Sequence, residues 1–230
     1  MQKSTAVNKD IRTQGFVLKR TNYGEADRIL NIITPLGKYA VIAKSVRKSR
    51  SKLAGSIEMF SLIDFSIHQG RSEFGVVTGA KMLEYYGEIL HDYRRMELAG
   101  MILKKISQAA ESASSEEYFD ITKQCLFGLN AGWNPDLIEA WFLLHLMRAM
   151  GEEMNLYRDN MGNKLIEGQN YTFDFTASAF AVDDRGEFGT NKIKMLRLLA
   201  TAKLSVVVKV KIEDLIFQNI LDLVRVVARV

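Results

Sequence analysis

Cysteine is nearly absent from this sequence, with Cys125 alone among 230 residues. A disulfide within the chain needs two thiols, and a zinc site built on Cys-x-x-Cys pairs needs several, so this content excludes both. Long apolar runs are also missing. The most apolar run, from Trp141 to Met147, is interrupted by His145 and followed by Arg148, and it falls short of the roughly 18 residues of a membrane span. We therefore expect no membrane partner.

Recognisable catalytic motifs are absent as well. The chain has no glycine-rich phosphate loop of the Walker or Rossmann type, no His-Glu-x-x-His pair and no Gly-x-Ser-x-Gly elbow. Its three histidines are scattered along the chain. The first ten residues are polar and lack periodicity, so we expect a frayed tail up to Asp10. No apolar stretch follows their charges, so we expect no secretory signal. These absences predict a cytoplasmic protein that is not an enzyme and needs no metal or other cofactor.

Charge is distributed unevenly along the chain. The net charge is +4, but residues 1–85 hold 14 Lys or Arg against 7 Asp or Glu, and residues 86–230 hold 17 against 20. The net charge is therefore +7 over the first third and −3 over the remainder. A basic part joined to a mildly acidic part indicates two regions with different functions, the first of which faces a polyanion.

The first 85 residues have the pattern of a small β domain. Five short runs rich in β-branched and aromatic residues are separated by turn residues, and a polar segment over 45–55 divides the third run from the fourth. This spacing predicts a small closed or partly closed five-stranded β-barrel, a class that often binds single strands on one face. The predicted strands span 15–20, 28–34, 38–44, 58–68 and 73–83.

Beyond Tyr85 the apolar residues recur at helical spacing. Asn134, Pro135 and Asp136 form a helix start, and the helix that follows is apolar almost all round, which predicts a central position. Residues 156–184 are rich in turns with one strand-like pair, and two further helices are expected over 192–202 and 213–227. The fold class is therefore α+β, with a β-barrel domain over 1–85 and a helical domain over 86–230.

The strongest functional signal is the basic segment, residues 44–52. It holds five cations and three serines in nine residues, with no acid. Cations on such a segment release the counterions condensed on nucleic acid, and hydroxyl groups donate to phosphate oxygens. The alternative is a solvated loop with incidental charge. The predicted phosphate contacts are Lys44, Arg47, Lys48, Arg50 and Lys52, and Lys19, Arg20, Arg28 and Arg71 are candidates to extend them.

Aromatic side chains for base stacking are less clearly marked. Tyr23, Tyr39 and Phe74 lie in the first third of the chain and are candidates. Each has the alternative role of packing in the barrel core or in a turn.

Several motifs in the first 85 residues resemble the RecO family of bacterial recombination mediators. The run from Gly15 to Leu30 contains an apolar strand, the turn Tyr23-Gly24-Glu25-Ala26-Asp27 and a second apolar strand, as in that family. The motif from Thr34 to Lys38, the basic segment, and the turn from Gly70 to Phe74 follow in the family's order and spacing. The helical remainder is similar only through the helix at 138–144.

The resemblance implies an OB-fold first domain, binding of single- and double-stranded DNA, annealing of complementary strands, and help in loading recombinase in the bacterial nucleoid. It also implies two partners, a RecR-type protein and the acidic tail of single-strand-binding protein. By the same match, the firmest DNA contacts are the five cations of the basic segment.

One departure from the family concerns zinc. Many members carry a four-cysteine site after the helix matching 136–154, whereas Leu156 to Leu165 and the region near Ala179 to Asp184 hold no cysteine here. We therefore predict a short insert over 156–184 without zinc. Two other functions stay open at this point: an RNA-binding OB-fold protein, and an interaction scaffold whose basic loop binds an acidic partner tail.

Overall fold

The computed structural model describes residues 9–70, 72–110, 115–211 and 214–228. Arg71, one of the predicted DNA contacts, lies outside these residues, as do residues 1–8 of the expected N-terminal tail. The chain forms two compact units, residues 1–132 and residues 133–230. Among the described residues, no helix combines the length and apolar character needed to cross a membrane.

The first unit contains a closed barrel of five strands in the order β1-β2-β3-β5-β4, with β1 also paired to β4. All neighbouring pairs are antiparallel except β3 with β5. This topology confirms the predicted OB-fold barrel. The strands are β1 (Lys9–Tyr23), β2 (Asp27–Thr34), β3 (Gly37–Ala43), β4 (Ser61–Gln69) and β5 (Gly75–Tyr85).

Strand β1 is much longer than the sequence predicted, because it serves two neighbours. Residues 9–15 pair with β4 and residues 16–23 pair with β2, with a bulge between Val17 and Lys19. A bulge bends a strand, which lets one strand contribute to both sides of a closing barrel. The expectation of a frayed tail up to Asp10 was therefore wrong for Lys9 and Asp10, which belong to β1 and pair with Gln69 and His68.

The barrel core follows from the alternation of side chains along each strand. Every second residue faces inward, so a strand contributes one residue in two to the core. Val41 and Ala43 of the third strand are fully buried, as their alternation predicted, and Tyr39 is partly buried against them. Other core residues are Ile11, Val17, Leu30, Ile32, Ile63, Phe65, Ile67 and Val77.

Two helices complete the first unit: α1 (Tyr93–Ala109) and α2 (Ser115–Asn130). Asp92 caps α1, since its carboxylate accepts a hydrogen bond from the Arg95 backbone N–H at 2.9 Å. Both helices pack on the barrel. Phe119 of α2, for example, lies 5.5 Å from Phe16 of β1, ring centroid to ring centroid.

The second unit is built around α3 (Pro135–Met150), which confirms the predicted helix start. The Asn134 side chain accepts hydrogen bonds from the N–H groups of Asp136 and Leu137, and Gly151 ends the helix in a left-handed conformation. Residues 137–147 are all buried. The helices that follow are α4 (Thr190–Thr201), the short α5 (Leu204–Val207) and α6 (Asp214–Val227).

A small three-stranded sheet lies within the same unit, in the order β6-β8-β7. Its strands are β6 (Asn155–Asp159), β7 (Tyr171–Asp174) and β8 (Ala179–Val182). The pair β7 and β8 was expected, whereas β6 was not. Aromatic rings fill the sheet's interior: Phe180 lies 5.3 Å from Phe173 and 5.5 Å from Phe188.

Candidate nucleic-acid interface

The basic segment begins where β3 ends and continues as a series of turns. Two internal hydrogen bonds hold these turns: the Lys48 N–H donates to the Ser45 carbonyl at 3.1 Å, and the Ser51 N–H donates to the Lys48 carbonyl at 2.9 Å. Ser45 adopts a positive φ of 53°, which turns the chain away from the direction of the strand. The segment therefore has a defined conformation.

The turn between β1 and β2 holds the basic segment in place. The Ser45 backbone N–H donates to Asp27 Oδ1 at 2.7 Å, and the Arg47 N–H donates to the Ala26 carbonyl at 2.9 Å. The Arg47 guanidinium also donates to the Gly24 carbonyl at 3.2 Å. The turn motif and the basic segment, separate in the sequence, thus form one surface.

An apolar anchor fixes the same segment to the barrel. Val46 is 3% exposed and belongs to the barrel core, and the residues after the segment pack there too, with Ile57 buried and Leu53 partly buried. Because these buried side chains hold the backbone of the basic segment against the barrel, its charged side chains face outward. All five cations are exposed: Lys44, Arg47, Lys48, Arg50 and Lys52.

These five cations are available to an external anion. Within the part of the chain that the structure describes, no carboxylate forms an ion pair with any of them. A cluster of like charges on the surface is unfavourable to the folded state by itself, and phosphate groups relieve that repulsion. The arrangement is therefore suited to phosphate contacts.

Lys19 and Arg20, two of the candidates to extend the basic segment, do not share one face of the barrel. As consecutive strand residues they point to opposite faces of the sheet. Arg20 donates to Glu58 at 2.8 Å, so its charge already has a partner. Lys19 is exposed and lines a cavity of about 410 Å³ against α1, together with Lys104. Their roles in DNA contact, like that of Arg71, stay predictions.

Two residues of the β1–β2 region adjoin the contacts that hold the basic segment. Tyr23, the last residue of β1, precedes Gly24, whose carbonyl accepts a hydrogen bond from the Arg47 guanidinium, and is 51% exposed. Arg28 is paired in register with Ala43, the residue just before the segment, and its guanidinium donates to Asn22 at 3.3 Å. An exposed aromatic ring beside cations is the usual arrangement of a single-strand site. Tyr39, by contrast, packs against the core, and Phe74 is half-buried.

Sequence reasoning missed the role of Asp27. An acid beside a basic cluster suggests charge cancellation, but its carboxylate accepts the Ser45 N–H and so positions the cluster. The available signal was the turn itself, since Gly24 adopts a positive φ of 55° and a short acidic side chain often bonds nearby backbone N–H groups in turns.

The small sheet occupies the region where the resemblance locates a four-cysteine zinc site. Among the described residues, no three His, Cys, Asp or Glu side chains come close enough to hold a metal ion. The aromatic cluster of Tyr171, Phe173, Phe180 and Phe188 supplies an apolar interior instead. Absence of zinc stays a prediction, to be tested on the protein itself.

Comparison of this chain with known proteins agrees with the family resemblance of its N-terminal motifs. Residues 8–86 match a family model described as "Recombination protein O N terminal". A curated protein of Roseiflexus sp. (strain RS-1), named DNA repair protein RecO, is 33% identical over 177 residues. That alignment covers 76% of this chain and 62% of the relative, so the chain spans less than two thirds of that protein.

Other relatives match over more of their length. A protein of the same name from Dehalococcoides mccartyi (strain ATCC BAA-2266 / KCTC 15142 / 195) is 26% identical over 211 residues, 88% of this chain and 83% of the relative. One from Listeria monocytogenes serotype 4b (strain CLIP80459) is 26% identical over 199 residues, covering 81% and 76%. The similarity therefore extends beyond the barrel into the second unit.

Proposed function

The chain belongs to the RecO family, and from this premise we propose that it binds DNA and anneals complementary strands, without ATP, as a mediator of DNA repair and recombination. One observation carries the proposal: five exposed cations are held on an ordered segment by the β1–β2 turn and by the buried Val46. The names of the curated relatives support the same general role.

The proposed mechanism is electrostatic. Cations of the basic segment contact phosphates of the DNA backbone and release condensed counterions, which supplies most of the binding free energy. Backbone contacts carry no sequence information, so the bases of the bound strand stay free to pair. Neutralising phosphates also lowers the repulsion between two complementary strands as they approach each other. We expect low sequence specificity and no catalysis or cofactor.

Within the cell, the proposed role has partners. By family membership we propose a RecR-type protein and the acidic tail of single-strand-binding protein as partners, and assistance in loading recombinase on coated single strands. The setting would be the bacterial cytoplasm at the nucleoid. The family relationship supports these features.

The first test is fluorescence anisotropy of a labelled single-stranded oligonucleotide, titrated over a series of salt concentrations. A plot of log affinity against log salt is expected to fall with a slope of about −0.7 per phosphate neutralised, with roughly three or more contacts in total. The variant Arg47→Glu/Lys48→Glu/Arg50→Glu should lose most binding while keeping its melting temperature. The control Lys9→Glu/Lys81→Glu/Lys123→Glu makes the same charge change at exposed sites elsewhere.

The outcomes separate the competing functions. Equal loss in both triple variants would reduce the effect to overall charge and contradict a specific site. Tighter binding of RNA than of DNA of the same sequence would favour an RNA-binding protein, acting through the 2′-hydroxyl groups. Absence of DNA binding at low salt, with tight binding of an acidic peptide, would instead favour a scaffold.

A further inference from the structure

A cavity of about 470 Å³ opens on the second unit, beside the C-terminal ends of α3 and α4 and strand β6. Its volume lies within the range of small-ligand sites, about 300–1,000 Å³. The floor is apolar and consists of buried side chains: Leu144, Met147, Met154 and Leu156. Nothing in the phosphate-contact mechanism of the barrel uses this cavity.

The rim of the cavity carries an aromatic ring held in a fixed position. Tyr157 is 58% exposed, and the Arg197 guanidinium lies over its ring at 4.9 Å from the centroid. Arg197 is itself held, since its Nε donates to the Leu156 carbonyl at 2.8 Å. A ring supported by a cation and still largely open to solvent is suited to stack on a planar ligand.

Cations outnumber acids around the same rim. Arg148 and Arg158 line the cavity, and Glu153 is the one acid among the described residues that line it. Both guanidinium groups are oriented by carbonyl oxygens: Arg148 donates to Ala200 at 3.1 Å and Arg158 donates to Gly162 at 2.7 Å. The positive balance favours an anionic ligand.

The chain continues from the cavity into a second cationic stretch. Thr201 lines the cavity, and residues 203–211 follow with three exposed lysines and no acid. Leu204 and Val207 are fully buried, so the stretch is anchored while Lys203, Lys209 and Lys211 face solvent. Buried apolar residues between exposed cations repeat the arrangement of the basic segment on the barrel. A ligand with several spaced negative charges fits this surface better than a compact anion.

We propose that the second unit carries its own contact for single-stranded DNA at this cavity. One base enters the cavity and stacks on Tyr157, while neighbouring phosphates lie on Arg148, Arg158 and Lys203. The inference rests on the proposed function, since it assumes a DNA-binding protein, and it adds a base-contacting element that the basic segment lacks. A second contact on a separate unit provides a place for another stretch of strand during annealing.

The test uses the full chain and an oligothymidine that contains 5-iodouracil, cross-linked by ultraviolet light and mapped by mass spectrometry. The expected adduct is on Tyr157. Phe175 is a control, since it is similarly exposed (56%) and lies in the turn between β7 and β8, outside the cavity lining. Tyr157→Ser should lower oligothymidine affinity by about tenfold, because stacking on an aromatic ring contributes substantially to each bound base. Tyr157→Phe keeps the ring and should retain affinity.

The possible results distinguish failure of this inference from failure of the proposed function. Wild-type binding without an adduct on Tyr157, and with unchanged affinity in Tyr157→Ser, would overturn this inference and leave the proposed function standing. Failure of the wild-type chain to bind any oligonucleotide would overturn the proposed function and this inference with it. If an acidic peptide rich in leucine protects Tyr157 from labelling while oligothymidine does not, the cavity is a protein-binding site and the inference is wrong.

Discussion

At the scale of single residues, Asp27 shows how an acid can support a cationic site. Its carboxylate accepts the Ser45 N–H at the point where the basic segment leaves β3. A bond from a backbone N–H to a charged acceptor contributes about 1.5–3 kcal/mol when it is well formed. Asp27 therefore orders the segment while adding a negative charge to it, and these two effects on the proposed DNA binding have opposite signs.

The variant Asp27→Ala separates the two effects. If the loss of order in the basic segment outweighs the loss of the negative charge, DNA affinity falls, by up to about tenfold for each 1.4 kcal/mol of binding free energy lost. The matched control is Glu25→Ala, which removes the same charge from an exposed position in the same turn and should keep or raise affinity. Anisotropy at one salt concentration measures both. Higher affinity in Asp27→Ala would contradict a positioning role.

His145 is a buried titratable residue of α3. Its ring stacks on Trp141 at 3.9 Å between centroids, and Arg148 donates to its Nδ1 at 3.2 Å. Since Arg148 cannot accept a hydrogen bond, Nδ1 is the acceptor and Nε2 carries the proton, which it donates to the Leu199 carbonyl at 3.1 Å. Burial, and then the nearby Arg148 charge, lower the pKa of His145 to about 4.

This lowered pKa predicts a loss of stability in mild acid. The folded chain keeps His145 neutral, while the unfolded chain takes up a proton near its ordinary pKa of about 6.5. As the pH falls from about 6.5 towards 4, the unfolded state binds more protons and the free energy of unfolding decreases, by at most about 1.4 kcal/mol per pH unit. Thermal melts of wild type and His145→Gln from pH 7 to pH 4.5 measure the difference, since the carboxylates are common to both. Parallel curves would contradict the prediction.

At the scale of elements, the small sheet is stabilised by its aromatic interior. Phe180 contacts Phe173, Phe188 and Tyr171, in the region where the resemblance expects cysteine ligands. Aromatic side chains bury large apolar areas and gain further from edge-to-face contacts. We expect this interior to stabilise the sheet without the cross-link that a metal would provide to a small domain.

The expected consequence is stability without metal. Treatment with a chelator should leave the melting temperature unchanged, and elemental analysis should find no stoichiometric zinc. Phe180→Ala should lower the free energy of unfolding by about 3–5 kcal/mol. Phe175→Ala, at an exposed ring in the turn between β7 and β8, should have a much smaller effect. A chelator-induced drop in melting temperature would contradict the metal-free interpretation.

At the scale of the whole molecule, the charge asymmetry between the first third and the remainder bears on the proposed binding of DNA. The excess of +7 over residues 1–85 includes the five cations of the basic segment. Electrostatic attraction accelerates association and weakens as salt screens it. Annealing that depends on phosphate contacts should therefore share the salt dependence of binding.

A fluorescence energy transfer assay with two labelled complementary strands tests this prediction. The protein should accelerate annealing without ATP, and the acceleration should decline with salt in parallel with the anisotropy curve. The Arg47→Glu/Lys48→Glu/Arg50→Glu variant should lose this acceleration of annealing. Added ATP should change nothing. Acceleration that persists at a salt concentration where binding is lost would point to a different mechanism.

The sequence by itself determined most of the elements and the class of fold. Alternation in the barrel strands and the 3.6-residue period of the helices are local patterns, and each can be recognised within a dozen residues. The same is true of the helix start at Asn134 and of the basic segment. The barrel and the central position of α3 could be predicted for this reason.

Only the tertiary structure decided which of these parts meet. The docking of Arg47 on the turn at Gly24 and the pairing of Arg20 with Glu58 each join residues well separated in the chain. The pairing of β1 with two neighbours likewise depends on its register with β4, from Lys9 with Gln69 to Gly15 with Ile63. Such contacts are set by strand register and packing, and both are properties of the closed barrel and of the packed second unit, which no local pattern contains.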